Sequence, residues 1–81
     1  NAVAPGFIDG TWLRDGLGEK FPAARDNFAA ASALGRVCQP ADIADAVVSL
    51  ITGSDMVTGQ TLVCDGGWLL AEPANYNISN R

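Results

Sequence analysis

Hydrophobic positions recur with a helical period most clearly in the middle of the chain, over residues 40–52. Four apolar side chains fall at i, i+4, i+7 and i+8, on one face of a helix: Ile43, Val47, Leu50 and Ile51. Pro40 suits the first helical position, where its missing N–H has no partner to lose. We therefore predict a helix over 40–52 that ends at Thr52 and Gly53.

Two short apolar runs without a helical period predict β-strands on either side of this helix. Residues 1–5 are mostly small and apolar, and Pro5 ends the run because it cannot continue a central ladder. Residues 61–64 read Thr-Leu-Val-Cys, a run typical of a strand covered on both faces in a parallel sheet. Gly6 after the first run and Asp-Gly-Gly at 65–67 after the second indicate turns.

The segment 9–35 is less regular and predicts two shorter helices with glycine at their joints. Three apolar residues indicate the first helix: Trp12, Leu13 and Leu17. We expect this helix to break near Gly16 and Gly18. Phe21, Pro22 and the alanine-rich residues 23–34 predict the second helix, with Gly35 as its C-terminal stop. This pattern is typical of a mobile flap.

The predicted order is strand, two flap helices, long helix, strand, which is one crossover unit of an α/β sheet. Two strands alone cannot have both faces covered and also have partners on both sides. We therefore expect the 81 residues to be part of a larger sheet. Residues 72–81 are polar and are predicted to be a tail.

Composition and charge argue against several classes of function. The net charge is −4, and the cations are scattered along the chain: Arg14, Lys20, Arg25, Arg36 and Arg81. Nucleic acid is not an expected partner, because phosphate contacts need clustered cations. No apolar run approaches the roughly 18–20 residues of a membrane span, so we expect no membrane association either.

Two cysteines, Cys38 and Cys64, stand in a chain without histidine. A zinc site usually takes four nitrogen or sulfur ligands, so no metal site is expected. Free thiols in a cytoplasmic protein are the favoured interpretation, and a disulfide is the alternative.

Three segments, in order and at the expected spacing over about residues 1–68, resemble the short-chain dehydrogenase/reductase family. They read NAVAPGFID, GRVCQPADIADAVVSLI and VTGQTLVCDGGW. The resemblance implies α/β architecture, here the C-terminal part of a Rossmann-type doubly wound parallel sheet. Residues 1–81 are then expected to be the C-terminal fragment of a single NAD(P)-binding domain, about the last third of a larger enzyme.

The resemblance also implies NAD- or NADP-dependent interconversion of a carbonyl and a secondary alcohol in a small-molecule substrate. The implied cofactor-binding residues are Pro5, Gly6, Phe7, Ile8 and Thr11. Family members hold the nicotinamide carboxamide with backbone groups of the residue matching Ile8 and with a threonine two residues further. Gly10 occupies that position and Thr11 comes one residue late, so either a shifted loop presents Thr11 or backbone groups bind alone. From the local residues, a strand-end turn without a ligand is the alternative.

Segment 9–35 matches the family's substrate lid, with Trp12, Leu13 and Leu17 as lid residues. Ordinary packing of two short helices is the equal alternative. Asp9 and Arg14 either contact a polar substrate or, as we favour, form solvated surface. The stretch 40–68 matches the face through which family members form dimers or tetramers, so a homo-oligomer is expected.

The family's catalytic Tyr-x-x-x-Lys has no counterpart in this chain. The only tyrosine, Tyr76, lies in the tail, and the only lysine, Lys20, lies in the flap. We therefore assign no catalytic residue, and we expect the 81 residues alone to be inactive. The alternative function is a non-catalytic interaction module that pairs with a full-length relative.

Overall fold

The computed structural model describes residues 1–70, and the predicted tail at 72–81 lies outside the described residues. The elements run β1 (Ala2–Pro5), α1 (Thr11–Leu17), a 3₁₀ turn (Gly18–Lys20), α2 (Phe21–Ala31), α3 (Pro40–Thr52) and β2 (Thr61–Cys64). Within this part of the chain, no helix is both long enough and apolar enough to cross a lipid bilayer. Both predicted strands and the predicted long helix are confirmed.

Strands β1 and β2 form a parallel pair in which Ala2 faces Thr61 and Pro5 faces Cys64. The N–H of Ala2 donates to the carbonyl of Gln60 at 2.8 Å, and the N–H of Gly6 donates to the carbonyl of Cys64 at 3.0 Å. A parallel pair needs a long crossover, which the three helices supply. Helix α3 packs against both strands, so the predicted α/β crossover unit is confirmed.

Helix α3 begins at a capping box, although the chain has glutamine rather than serine at the N-cap. The N–H of Gln39 donates to Oδ2 of Asp42 at 2.8 Å, and the N–H of Asp42 donates to the backbone carbonyl of Gln39 at 2.9 Å. The guanidinium of Arg36 lies 3.0 Å from the same carboxylate. The hydrogen bond from Arg36, with that from the Gln39 N–H, holds the pKa of Asp42 below its ordinary value. The cap therefore stabilises the fold above the ordinary pKa of aspartate and weakens as the pH falls through the lowered value.

Helix α1 continues through Gly16 and ends at Leu17, and Gly18 follows it with a left-handed φ of 53°, so the predicted break of this helix is found at Gly18. The predicted end of the second flap helix was wrong. Helix α2 ends at Ala31, and Ser32 is extended with φ −90° and ψ 141°. Its hydroxyl donates back to the carbonyl of Phe28 at 2.7 Å, which competes with further helix. Gly35 closes the turn that follows instead of ending α2.

Few of the described side chains are buried. Phe21, Val37 and Cys38 are 3%, 8% and 5% exposed, and none of the residues of α3 is buried. Val47 and Ile51 on the predicted apolar face of α3 remain exposed. The interior that these residues enclose is therefore small, and much of the apolar surface of the sheet and of α3 is open.

Both cysteines are free thiols, as predicted. The sulfur of Cys38 lies 3.3 Å from the carbonyl oxygen of Cys64, the last residue of β2. Burial, followed by the nearby Cys64, raises the pKa of the Cys38 thiol. Cys38 therefore stays protonated at neutral pH, and its S–H can donate to that carbonyl.

Substituting Gly6 with alanine is expected to lower the free energy of unfolding of the intact protein. A Cβ at Gly6 would lie 2.6 Å from the Cβ and 2.9 Å from the Cα of Asp65, so the two strand ends would be forced apart. Overpacking of this kind costs about 1–3 kcal/mol. Urea unfolding followed by circular dichroism measures the change.

Gly16→Ala is the matched control, since a Cβ there meets nothing within 4 Å inside helix α1. This variant is expected to gain about 0.5–1 kcal/mol, because alanine is the better helix former. Equal unfolding midpoints for the two variants would contradict the close contact at Gly6.

Candidate functional site

The carboxyl ends of β1 and β2 open into a mainly apolar groove of about 290 Å³. Pro5, Gly6 and Phe7 form one wall, and Phe28 and Trp68 contribute aromatic surface to the rest. In open parallel sheets, ligands bind outside the carboxyl ends of the strands. The groove is therefore the candidate site.

The turn after β2 is held by the carboxylate of Asp65. Its Oδ1 accepts from the N–H of Gly67 at 2.8 Å, and its Oδ2 accepts from the N–H of Leu69 at 3.0 Å. Gly66 and Gly67 both have left-handed φ angles, 66° and 83°, which glycine adopts without strain. The Gly66 carbonyl also accepts from the N–H of Leu34 at 2.9 Å. Asp65 therefore caps the turn that the Asp-Gly-Gly at 65–67 predicts.

A row of aromatic rings connects helix α2 to both strand ends. Phe7 lies 4.9 Å from Phe28 and 5.7 Å from Phe21 between ring centroids, and Phe28 lies 5.3 Å from Trp68. All three pairs are tilted at contact distance, the kind of arrangement that adds to simple area burial. Phe21 and Phe28 thus serve the packing of α2.

The chain after β1 makes a further parallel bridge, between Ile8 and Cys38. The N–H of Cys38 donates to the carbonyl of Phe7 at 2.9 Å, and the N–H of Asp9 donates to the carbonyl of Cys38 at 2.8 Å. Because all the peptides are trans, the N–H and carbonyl of Ile8 point away from Cys38. The Ile8 carbonyl accepts from the N–H of Gly10 at 3.0 Å, whereas no backbone or side-chain acceptor in residues 1–70 takes the Ile8 N–H.

The carbonyl of Pro5 is directed away from β2 by the same geometry. The N–H of Gly6 bonds to Cys64 on β2, and the trans peptide places the Pro5 carbonyl on the opposite side. A backbone acceptor at Pro5 and a backbone donor at Ile8 therefore lie three residues apart beside the groove.

Asp9 and Arg14 bind each other in a two-pronged ion pair. Nε of Arg14 lies 2.7 Å from Oδ1 of Asp9, and Nη2 lies 3.1 Å from Oδ2. The Asp9 side chain is 13% exposed, so the prediction that it forms solvated surface was wrong. The hydrogen bonds from Arg14 hold the pKa of Asp9 below its ordinary value. Sequence spacing alone indicated no pairing, because the turn at Gly10 brings the two residues together.

The structure brings some of the predicted site residues together but not all of them. Pro5, Gly6 and Phe7 line the groove, and Ile8 follows directly. Thr11 is the first residue of α1 and is exposed. None of the three predicted lid residues lines the groove: Trp12 is 85% exposed, and Leu13 and Leu17 are half-buried.

The described residues contain no cluster of three or more histidine, cysteine or acidic side chains that could hold a metal ion. The chemistry that the site offers in residues 1–70 is therefore recognition by backbone groups and apolar surface.

Comparison with known proteins places this geometry in one family. The model of a family described as enoyl-(acyl carrier protein) reductase matches residues 1–69. The uncharacterized oxidoreductase YmfI of Bacillus subtilis is 36% identical over 69 residues, covering 84% of this chain and 27% of that protein. The diacetyl reductase [(S)-acetoin forming] of Staphylococcus aureus is 37% identical over 76 residues, covering 83% and 29%.

A solved structure, the MalC reductase/Diels-Alderase from Malbranchea aurantiaca, superposes with a TM-score of 0.76 at 35% identity. The match covers 84% of this chain and 26% of MalC, so the chain spans just over a quarter of the relatives that it matches. The superposition confirms the predicted Rossmann-type α/β architecture. With the match to the family model over nearly all the described residues, it shows that the chain belongs to the short-chain dehydrogenase/reductase family.

Proposed function

We propose that this chain forms the C-terminal part of an NAD(P)-dependent oxidoreductase that interconverts a carbonyl and a secondary alcohol. Residues 5–8 form the nicotinamide side of the site, α1 is the movable part of the substrate lid, and 40–68 is the oligomer face. The relatives support an oxidoreductase, since their names include a diacetyl reductase. A small carbonyl compound is the proposed class of substrate.

The observation that carries this proposal is the pair of outward-facing backbone groups at Pro5 and Ile8. A nicotinamide carboxamide has an oxygen that accepts and an NH₂ that donates, so one donor and one acceptor of the protein can form hydrogen bonds with it. The Ile8 N–H has no acceptor within residues 1–70 and can donate to the oxygen, and the Pro5 carbonyl is directed away from β2. The residues therefore fit the group without the Thr11 hydroxyl, which would add a further contact.

A nicotinamide bound here would supply or accept the hydride of the reaction. The residues of this chain orient the ring and keep water away from it. Phe7, Phe28 and Trp68 present apolar surface at the carboxyl ends of the strands. Proton transfer is proposed to come from residues outside this chain, because residues 1–81 contain no Tyr-x-x-x-Lys.

The surface of 40–68 supports association with a second copy of the protein. Its exposed apolar side chains include Val47, Val48, Ile51, Met56, Val57, Leu62, Val63 and Trp68. Exposed apolar side chains grouped in one segment favour an interaction site there. The same surface favours the second candidate function, a non-catalytic module that pairs with a full-length relative.

The experiment that separates the two functions combines intact mass with turnover. The protein is purified from its own gene, its denatured mass is measured, and NADH and NADPH oxidation are followed with diacetyl as substrate. An oxidoreductase of the family's length, about three times this chain judging by the relatives, is expected to oxidise one of the cofactors. A mass near 8.4 kDa with no turnover would favour the interaction module.

The amide of Ile8 is expected to shift when the cofactor binds. In the intact protein labelled with ¹⁵N-isoleucine, adding NAD⁺ or NADP⁺ should move the Ile8 N–H resonance downfield as its hydrogen bond forms. Ile43 and Ile51 on α3 serve as internal controls and should stay in place. An Ile8 resonance that is unmoved at saturating cofactor would contradict the proposed contact.

Trp12→Ala is expected to lower kcat/KM about tenfold, as the loss of one apolar contact with the substrate. Stability should change by less than about 0.5 kcal/mol because the side chain is 85% exposed. Leu34→Ala is the matched control, an apolar residue of 9–35 that is 72% exposed but lies outside α1. Equal kcat/KM values for the two variants would contradict the proposed contact between Trp12 and the substrate.

A further inference from the structure

Helix α1 cannot hold its position by its own stability. It has seven residues, contains Gly16, begins after Gly10 without a side-chain cap, and has no buried residue. Helices shorter than about 12 residues are marginal in water, and an internal glycine weakens them further. Glycines also bound it on both sides, with Gly18 in a left-handed conformation. Tertiary contacts must therefore set where α1 lies.

Arg14 makes these contacts with a single side chain. Its two hydrogen bonds reach Asp9, in the loop after β1, and its guanidinium carbon lies 4.6 Å from the ring centroid of Phe21 on α2. A two-pronged pair with a carboxylate fixes orientation as well as distance, and a cation over an aromatic face adds attraction. Asp9, Arg14 and Phe21 are called the latch below.

Both anchors of the latch are firmly placed. Phe21 is 3% exposed and packs on Phe7. The backbone of Asp9 is bonded to Cys38 at 2.8 Å, and its side chain is 13% exposed. Arg14 itself is half exposed, so the movable partner of the latch is the one that α1 carries.

Arg25 lies close to the same aromatic ring as Arg14 but does not join two elements. Its guanidinium carbon also approaches the Phe21 ring, at 5.7 Å, but its Nε pairs with the neighbouring Asp26 at 3.1 Å. Arg25 and Phe21 both lie on α2, so this contact joins no separate elements. The two arginines share a ring, and of the two only Arg14 joins α1 to other elements.

We propose that Arg14 is a positioning residue, whose latch to Asp9 and Phe21 holds α1, and with it Trp12, against the loop after β1 and helix α2. The claim that Arg14 positions α1 is argued from the contacts of the latch. The further claim that this positioning affects substrate binding rests on the proposed function. The pair engages both carboxylate oxygens of Asp9 and two of the N–H groups of Arg14, and in this proposal the two residues act on substrate through α1 and not by contact. Trp12 lies two residues before Arg14, on the element that the latch fixes.

The test compares Arg14→Gln with Arg25→Gln in the intact protein by amide hydrogen exchange. Arg14→Gln is expected to speed exchange of the amides in 11–17 about tenfold, since the two-pronged pair is lost. Amides of α3, 40–52, should keep their protection, and Arg25→Gln should change neither segment. Arg14→Lys keeps the charge without the planar fork and is expected to fall between Arg14→Gln and the unmodified protein.

Turnover gives the second readout. Arg14→Gln is expected to raise KM about fivefold and to leave kcat within about twofold, because a loosened lid weakens binding before it affects chemistry. If Arg14→Gln also removes protection from 40–52, Asp9→Asn replaces it as the variant that keeps the side-chain shape.

The outcomes separate the latch from the proposed function. Unchanged exchange of 11–17 in both Arg14→Gln and Asp9→Asn would overturn the latch, whatever the turnover. Faster exchange of 11–17 in a protein that oxidises neither NADH nor NADPH would support the latch and overturn the proposed function. Faster exchange with an unchanged KM would overturn the link between the latch and substrate.

Discussion

The close approach of Gly6 to Asp65 is the constraint on which the site depends. Parallel strands end side by side only if the turns that follow them do not collide, and no side chain stands between these two residues. Asp65 can then use its carboxylate to cap the turn over Gly67 and Leu69, while the N–H of Gly6 closes the ladder to Cys64. The groove between the strand ends follows from this contact.

The rest of the site is built outward from that point by two short connections. The bridge between Ile8 and Cys38 directs the N–H of Ile8 away from Cys38. The ring of Phe7 packs against Phe28 and thereby positions helix α2. Helix α2 in turn presents Phe21 to the guanidinium of Arg14. Fixed and more weakly held parts are thus adjacent, since the strand ends and α2 are anchored in the small core, while α1 has no buried residue and is joined to them by the side chain of Arg14.

The sequence predicted the elements whose causes are local. The apolar period of 40–52 and the Pro5 stop gave α3 and β1 because each depends on neighbouring residues. The end of α2 was missed because Ser32 bonds back to Phe28, which competes with helix that the alanine run favours. The pairing of Asp9 with Arg14 was missed because a turn at Gly10 creates it. Contacts between residues far apart in the chain, such as Cys38 beside Ile8, leave no periodic signal.

The measurement that tests the central claim most directly is a crystal structure of the intact protein with its dinucleotide bound. The account predicts the carboxamide oxygen of the nicotinamide about 2.7–3.2 Å from the Ile8 nitrogen, at the carboxyl ends of β1 and β2. A nicotinamide ring bound elsewhere, with the Ile8 N–H facing solvent or another part of the protein, would contradict the account.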